Sequence, residues 1–197
     1  MKLNNKRTIL VGLAFLSICA FWQMYDSIVP LILTKTFHMN ETFSGAIMAA
    51  DNILALFLLP FFGSVSDKSH SKLGKRMPFI LFGTGCAIIL MNILPLLDNS
   101  YAAQPSGFKT ASFVIVLGLL LVAMGTYRSP AVALMPDITP KPLRSKGNAI
   151  INLMGALGGV IYLGVAAVMY PNSKVEGLAH VNYQPLFMVV SAILFVA

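Results

Sequence analysis

The sequence predicts an all-α integral membrane protein. Of its 197 residues, 57% are apolar and only 11% are charged, and the mean hydropathy is +0.78. About a quarter of the residues in a soluble domain are usually charged, because polar groups must face water. Here the apolar residues form long runs, which excludes an ordinary soluble enzyme. The net charge of +7 is explained by basic loops at a membrane surface, so we expect no nucleic-acid partner and a lipid bilayer as the surroundings.

Six apolar segments are predicted to be membrane-spanning helices. A span needs about 20 apolar residues to cross a hydrocarbon core of roughly 30 Å. Five complete segments and a shorter sixth one cover residues 8–33, 43–63, 78–97, 111–135, 148–170 and 185–197. The sixth is apolar to its last residue but spans only about 20 Å as a helix. The expectation is therefore that residues 1–197 form the N-terminal part of a longer chain.

The basic residues predict how the spans are oriented. With the N terminus inside, ten of the 14 Lys and Arg residues lie in cytoplasmic segments, whereas Lys35, Lys109 and Lys174 lie in external ones. An excess of Lys and Arg in short cytoplasmic loops is general for membrane proteins. We therefore expect a multi-pass protein of the cell membrane with a cytoplasmic N terminus.

The loop after the second span carries the most specific motif. Gly63 is predicted to end the span, Asp67 follows it, and Gly74, Lys75 and Arg76 precede the third span. An acidic group at one helix end and a basic pair before the next helix can form a charge-assisted latch. The alternative is that these residues serve only as turn residues and positive-inside charges.

This loop motif resembles the loop 2–3 signature of the major facilitator superfamily. Its longer form, SDKSHSKLGKRMPFI, resembles the version found in sucrose transporters and in the glycoside–pentoside–hexuronide cation symporters. A second stretch, residues 128–159, is similar to span 4, loop 4–5 and span 5 of that branch. The resemblance covers essentially the whole chain, but only the first half of a family member.

The resemblance implies a fold and a function. Members have twelve spans in two six-helix bundles, so this chain is expected to be the N-terminal bundle with a truncated sixth helix, and a C-terminal bundle is expected as its partner. The implied activity is transport of a small solute, here a sugar or glycoside, by alternating access. Asp137 and Arg144, near the cytoplasmic ends of spans 4 and 5, are expected to join the loop motif in a gating network.

The sequence also departs from the family pattern at the coupling-ion site. Melibiose-type sodium symporters have two aspartates on span 2 and one on span 4, and the matching residues here are Ala55, Leu59 and Arg128. A hard cation needs several oxygen ligands, which these residues do not provide. The expected coupling ion is therefore a proton, with sodium less favoured, and neither a metal site nor another cofactor is expected.

Span 1 contains a candidate substrate-binding stretch. Trp22, Gln23 and Tyr25 combine rings and hydrogen-bonding groups suited to a sugar, and Asp26 is one of three ionisable residues predicted inside spans. The alternative is that Asp26 lies near the external membrane surface, with Trp22 and Tyr25 as interfacial aromatic residues. Both interpretations remain open at this point.

Asp51 and Arg128 are the other two ionisable residues predicted inside spans. Counted from Gly63, Asp51 lies about 18 Å into the membrane, where desolvation favours a protonated carboxyl group. Arg128 lies about 12 Å from the end of span 4, so the depths differ by roughly one helical turn. The Arg128 side chain is expected to reach Asp51 if the helices are neighbours or face one cavity, and its departure to a substrate would then link substrate binding to protonation of Asp51. The alternatives are a structural hydrogen bond of Asp51, with Asn52 beside it, and a structural ion pair of Arg128. Because span 3 is predicted to carry no charge, it is expected to face lipid.

These observations lead to a functional hypothesis. The chain is expected to belong to a secondary transporter that moves a sugar or glycoside with protons, and not to an enzyme, since the sequence shows no nucleophile triad, phosphate loop or metal motif. The nearest alternative is a proton-coupled exporter of drugs or metabolites from the same superfamily. A membrane enzyme and a non-transporting receptor or scaffold are the alternatives from other classes.

Overall fold

The computed structural model describes residues 5–178 and 180–197, and the regular secondary structure among them is entirely helical. The main helices are α1 (Asn5–Leu31), α2 (Glu41–Lys68), α3 (Met77–Ala103), α4 (Gly107–Ile138), α5 (Arg144–Met169), α6 (Asn172–Val175) and α7 (Gln184–Val196). A π-helical turn (Ile32–Thr36) continues α1, and a 3-10 turn (Lys141–Leu143) precedes α5. The first five helices are long and apolar enough to cross a membrane, and α7 is a shorter apolar helix. The predicted all-α class is confirmed.

Each predicted span coincides with a helix, but several helices extend beyond the apolar segment. Helix α2 does not end with the predicted second span at Gly63 but continues to Lys68, which places Asp67 in its last turn. Similarly, α4 continues to Ile138 and includes Asp137. Hydropathy marks only the part of a helix that suits lipid, whereas backbone hydrogen bonding carries the helix into the polar region.

The longest extension is at the end of α3. The predicted span stopped at residue 97, whereas the helix continues to Ala103 and includes Asp98, which is completely buried. The prediction that the third span carries no charged residue is therefore wrong. The expectation that this span faces lipid and not the cavity stays a prediction; α3 packs against α4 and α7.

Local sequence explains several helix boundaries. The Asn40 side chain accepts a hydrogen bond from the backbone N–H of Thr42 at 3.0 Å and caps the start of α2. Pro78 lies in the first turn of α3, where its missing N–H costs nothing. Gly74, in the loop before α3, has a φ of 99°, a left-handed conformation that favours glycine.

The central helices of the bundle are α1 and α4. Helix α1 packs against α4, α5 and α7, whereas α4 also packs against α2 and α3. In the most apolar stretch of α1, 50% of the residues are buried, whereas 0% of those in the corresponding stretch of α2 are. Helix α2 therefore has one exposed apolar face, while Ile47, Met48 and Leu54 pack partly buried against the core. The largest fully buried side chains include Phe21, Tyr25, Phe113, Tyr162 and Phe187.

Two glycines bring helices into backbone contact. A Cβ atom on Gly158 of α5 would collide with the backbone carbonyl of Leu16 on α1. On α3, a Cβ atom at Gly83 would lie 2.7 Å from the backbone nitrogen of Tyr127 on α4. Small residues at such positions allow the close packing that drives association of helices in lipid.

The long helices define two sides of the bundle. The N-terminal side holds the start of α1, α3 and α5 and the end of α2 and α4, and the opposite side holds their other ends. Most basic loop residues lie on the N-terminal side, although Lys2, which was counted among them, lies outside the described residues.

Candidate functional site

A small cavity between α1, α2 and α4 contains two of the three predicted intramembrane charges. Its lining includes Trp22, Asp51 and Arg128 together with the apolar side chains of Ala55 and Leu59. Its volume is about 20 Å³, which is close to the space that one water molecule occupies. Helix packing thus brings together residues from three spans that are widely separated in the sequence.

Arg128 faces an aromatic ring within this cavity. Its guanidinium carbon lies 5.4 Å from the centre of the Trp22 ring, which is within the range of a cation–π interaction. Within the described part of the chain, no carboxylate lies within ion-pair distance of Arg128. The Asp51 carboxylate instead accepts a hydrogen bond at 2.8 Å from the side chain of Asn52, its neighbour on α2. Asp51 and Arg128 therefore share a cavity, but the expected contact between the two charged groups is not formed, because Arg128 packs over the Trp22 ring and Asp51 bonds to Asn52.

Only part of the candidate substrate-binding stretch on α1 lies at the cavity. The Trp22 side chain lines the cavity, but its indole N–H is buried and has no hydrogen-bond partner among the described residues. Tyr25 is fully buried in the core, where its ring stacks on Phe21 at 6.1 Å. Gln23 lies beside Gly159 of α5, outside the cavity lining.

Asp26 lies one helical turn beyond Trp22, toward the opposite side of the bundle. Its side chain is exposed, and its charge interacts with that of Asp51. The structure thus places two carboxylates near each other, with Asp51 in the cavity wall and Asp26 outside it. A functional role for either one remains a prediction.

The residues that depart from the sodium-symporter pattern lie around the same cavity. Ala55, Leu59 and Arg128, which match the three aspartates of the melibiose-type symporters, all contribute to the wall. Two alkyl side chains and a guanidinium offer no oxygen ligand to a cation. Among the cavity-lining residues, Asp51 is the one carboxylate.

Arg76 forms the centre of a polar cluster on the N-terminal side. Its Nη2 atom lies 2.9 Å from an Asp67 oxygen on α2, and its Nε donates to Asp137 on α4 at 2.6 Å. A third contact, from Nη1 to the Ser66 hydroxyl, measures 3.3 Å. Because Arg76 lies at the start of α3, one guanidinium connects the ends of three helices.

The environment of Arg76 keeps it charged. Its side chain is only 11% exposed, whereas Asp67 is 61% and Asp137 is 52% exposed. The hydrogen bond to Asp137 is the main cause that raises the pKa of Arg76 above its ordinary value, and the charges of both aspartates add to it. Sequence reasoning did not single out Ser66, whose buried hydroxyl also donates to the Gly63 carbonyl at 2.8 Å.

The other predicted gating residues have different surroundings. Arg144, at the start of α5, donates to the backbone carbonyls of Pro136 at 3.0 Å and Thr139 at 3.4 Å, and so caps the end of α4. Lys75 is exposed. Gly63 packs against α4, where a Cβ atom would lie 3.2 Å from the Ser129 hydroxyl. Asp67, Arg76 and Asp137 are thus in contact, whereas Arg144 acts on the backbone beside them.

A second buried polar cluster, on the opposite side, was missed by sequence reasoning. Asp98 of α3 is fully buried, and one of its carboxylate oxygens lies 3.9 Å from Nε2 of His180. The ring nitrogens of His180 are also within hydrogen-bond distance of Thr36 and Asn99. Asp98 directly follows the predicted third span, and a helix commonly extends beyond its apolar segment, so its position on α3 could have been predicted. The sequence does not identify His180 as its partner.

Comparison with known proteins defines the class of this helical membrane protein. The family model described as Major Facilitator Superfamily matches residues 11–197. With five helices able to span a bilayer, the chain is a multi-pass membrane protein, and it belongs to the major facilitator superfamily. No solved structure matches the chain.

The similar proteins point to one branch of that superfamily. The chain is 33% identical over 158 residues to the sucrose transport protein SUC3 of Arabidopsis thaliana, and 34% identical over 154 residues to SUT3 of Oryza sativa subsp. indica. These matches cover 74% and 71% of this chain. The alpha-ketoglutarate permease of Escherichia coli (strain K12) is 26% identical over 178 residues, or 89% of this chain. The chain spans 26%, 30% and 38% of the lengths of these three proteins.

Proposed function

We propose that the protein moves a sugar or glycoside across the cell membrane by proton-coupled alternating access. The observation that carries this proposal is the cavity between three apolar helices in which Asp51, Arg128 and Trp22 come together. Ionisable residues inside spans are costly, and where they face a cavity they commonly mark a solute or proton pathway. The sucrose transport proteins among the relatives favour a sugar as the solute.

Each of the three side chains has a distinct proposed task. Arg128 remains protonated and donates to substrate oxygens, while Trp22 supplies one further donor and a face for the sugar ring. Asp51 carries the proton, because it is the carboxylate in the cavity wall. Protonation of Asp51 changes the charge beside Arg128, so proton binding and substrate binding are thermodynamically linked, as symport requires. The cavity widens to admit a sugar when the transporter changes state.

The complete transporter is proposed to contain a second six-helix bundle. The chain spans about a quarter to two fifths of its relatives, and α2 exposes a row of large apolar side chains: Ile53, Leu56, Phe57 and Phe61. This exposed face of α2 is suited to line a central cavity and to contact a second bundle. The N-terminal side, with most basic residues, is proposed to face the cytoplasm.

The Arg76 cluster is proposed to act as a gate on the cytoplasmic side. It holds the ends of α2, α3 and α4 together through contacts that depend on one guanidinium. Such contacts shift the balance of inward-facing and outward-facing states only if they differ between the states. Arg144 supports the gate by holding the end of α4, on which Asp137 lies.

The test is transport by the full-length protein in proteoliposomes. Radiolabelled sucrose uptake and internal pH are followed together, with and without an imposed proton gradient. Wild-type protein is expected to accumulate sucrose and protons together. Asp51→Asn is expected to abolish accumulation while retaining sucrose exchange between the two sides.

Asp26→Asn is the matched control, because it neutralises the nearby carboxylate outside the cavity. It is expected to retain accumulation. If Asp51→Asn accumulates sucrose normally while Asp26→Asn does not, the proton site is assigned to the wrong carboxylate. If neither sucrose nor another glycoside is moved by wild-type protein, the sugar proposal is wrong.

A carboxylate metabolite is the second candidate substrate. Arg128 faces the cavity without an ion-paired carboxylate, and the similarity to an alpha-ketoglutarate permease covers most of the chain. An arginine fork matches a substrate carboxylate well. Inhibition of sucrose flux by α-ketoglutarate, or flux of α-ketoglutarate itself, distinguishes the two. Efflux driven by an inward proton gradient would instead identify a metabolite or drug exporter.

A further inference from the structure

Asp98 is the most unusual buried group outside the candidate site. It has no exposed surface, and neither carboxylate oxygen has a hydrogen-bond partner within the described part of the chain. Burial of an unpaired charge is costly, so a buried carboxyl group normally has a charged partner or carries a proton. The imidazole of His180 is the adjacent titratable group, with Nε2 at 3.9 Å from an Asp98 oxygen.

The hydrogen bonds around His180 determine which ring nitrogen always carries hydrogen. The Asn182 side-chain oxygen accepts from the backbone N–H of Gln184 at 2.9 Å and from the Asn99 amide nitrogen at 2.9 Å. The Asn99 amide is thereby oriented, so its oxygen, which can only accept, faces His180 Nε2 at 2.8 Å. Nε2 must therefore be the donor, and it carries hydrogen in the neutral and in the charged ring.

The other ring nitrogen, Nδ1, is open to a proton. It lies 3.3 Å from the Thr36 hydroxyl, which donates to an unprotonated nitrogen and accepts from a protonated one. A cavity of about 330 Å³, lined in part by His180 and Thr36, brings solvent to this cluster. Protonation at Nδ1 therefore needs no rearrangement of the surrounding hydrogen bonds beyond rotation of one hydroxyl.

The charged and titratable groups around the pair come from several segments. Lys35 follows α1, Glu176 follows α6, and Tyr183 precedes α7, and all three line the same cavity. Burial raises the pKa of the Tyr183 phenol, and the charge of Asp98 raises it further, as do Tyr170 and Tyr162 beside it, so Tyr183 stays neutral. Histidine is the side chain whose charge ordinarily changes between pH 5 and 8.

We infer that Nδ1 of His180 is a proton-binding site with Asp98 as its counter-charge. A proton taken from water at Nδ1 makes the ring an imidazolium, which gives the buried Asp98 carboxylate the charged partner that it otherwise lacks. The pair connects α3 with the segment before α7, and Thr36 connects the same ring with the end of α1. This site lies on the opposite side from the Arg76 cluster and is independent of the proposed substrate and of its transport.

The experiment is nitrogen NMR of the protein in lipid nanodiscs with 15N-labelled histidine. Ring nitrogen shifts distinguish the two neutral tautomers from the imidazolium. At pH 8, His180 is expected as the Nε2–H tautomer, and at acidic pH both ring nitrogens are expected to carry hydrogen. The exposed His38 and His70 serve as internal controls, and His180→Gln identifies the signal.

Asp98→Asn tests the counter-charge with an almost unchanged shape. At an acidic pH at which the wild-type His180 ring is partly imidazolium, the variant is expected to contain a smaller imidazolium fraction, because the neighbouring opposite charge is lost. An imidazolium fraction equal to that of the wild-type protein would overturn the inference. If Asp98→Asn does not fold, the wild-type spectrum still decides, because an Nδ1–H tautomer at pH 8 contradicts the assigned hydrogen bonds.

Discussion

Arg76 connects three helix ends through contacts that no other basic residue can reproduce in the same form. Its planar fork reaches Asp67 and Asp137 simultaneously and also contacts Ser66. Both aspartates are more than half exposed, so solvent screens each ion pair and each contributes at most about 1 kcal/mol. Contacts of this strength can bias a conformational equilibrium and still break reversibly, as the proposed gate requires.

Asp67→Asn is expected to change this bias without changing the substrate site. Losing one ion pair of about 1 kcal/mol alters the ratio of the inward-facing to the outward-facing state by roughly fivefold. We expect a transport rate that falls by up to about that factor, with the substrate dissociation constant within about twofold of wild type. Flux and equilibrium binding, measured in the full-length protein, check this.

Glu41→Gln is the matched control for Asp67→Asn. Glu41 is an exposed acidic residue at the other end of α2, and its replacement should leave the transport rate unchanged. A tenfold loss of substrate affinity in Asp67→Asn, with an unchanged rate, would show that Asp67 belongs to the binding site and not to a gate.

The packing of α1 against α5 depends on the absence of a side chain at Gly158. A Cβ atom there would collide with the Leu16 carbonyl, and backbone atoms of two central helices cannot move aside cheaply. Gly158→Ala is therefore expected to destabilise the protein by about 1–3 kcal/mol, the usual cost of overpacking. The midpoint of thermal unfolding in detergent, followed by circular dichroism, measures this.

Gly164 lies on the same helix and provides the comparison. Nothing lies within 4 Å of a Cβ atom built there, and alanine favours a helix more than glycine does. Gly164→Ala should therefore unfold at the wild-type temperature or slightly above it. Equal losses in both variants would show that contact with α1 at Gly158 is not the cause, because helix propensity predicts a gain at both positions.

The molecule as a whole has two chemically different ends. Basic residues of the loops concentrate on the N-terminal side, with the Arg76 cluster, whereas the opposite side holds the buried Asp98–His180 pair. Positively charged loops remain on the cytoplasmic side during membrane insertion. This asymmetry is the basis for the proposed orientation.

Cysteine labelling in intact cells checks the orientation. In a background in which Cys19 and Cys86 are replaced by serine, the exposed residues Lys72 and Lys174 are each changed to cysteine. A membrane-impermeant maleimide should label Lys174→Cys in intact cells and Lys72→Cys only after permeabilisation. The reverse pattern would place the N terminus outside.

Sequence alone determined the all-helical class and the positions of the five long helices and the shorter last one, but not the residues at which they end. Apolar runs of 20 or more residues leave a chain few alternatives in lipid, because backbone groups must form their hydrogen bonds within the helix. The motif from Gly63 to Arg76 also placed an aspartate and an arginine at adjacent helix ends, and they do meet. Such conclusions depend on local composition and short spacing.

Only the tertiary structure decided which distant residues meet. Arg76 contacts Asp137, 61 positions away, and Arg128 faces Trp22 instead of Asp51, because the rotation of each helix depends on packing contacts such as Gly83 against α4. Asp98 was assigned to a loop because hydropathy ends before the helix does. Whether such a residue is exposed or buried depends on which other parts of the chain pack over it. For Asp98, one of these is the segment that contains His180, and the sequence around Asp98 does not predict that contact.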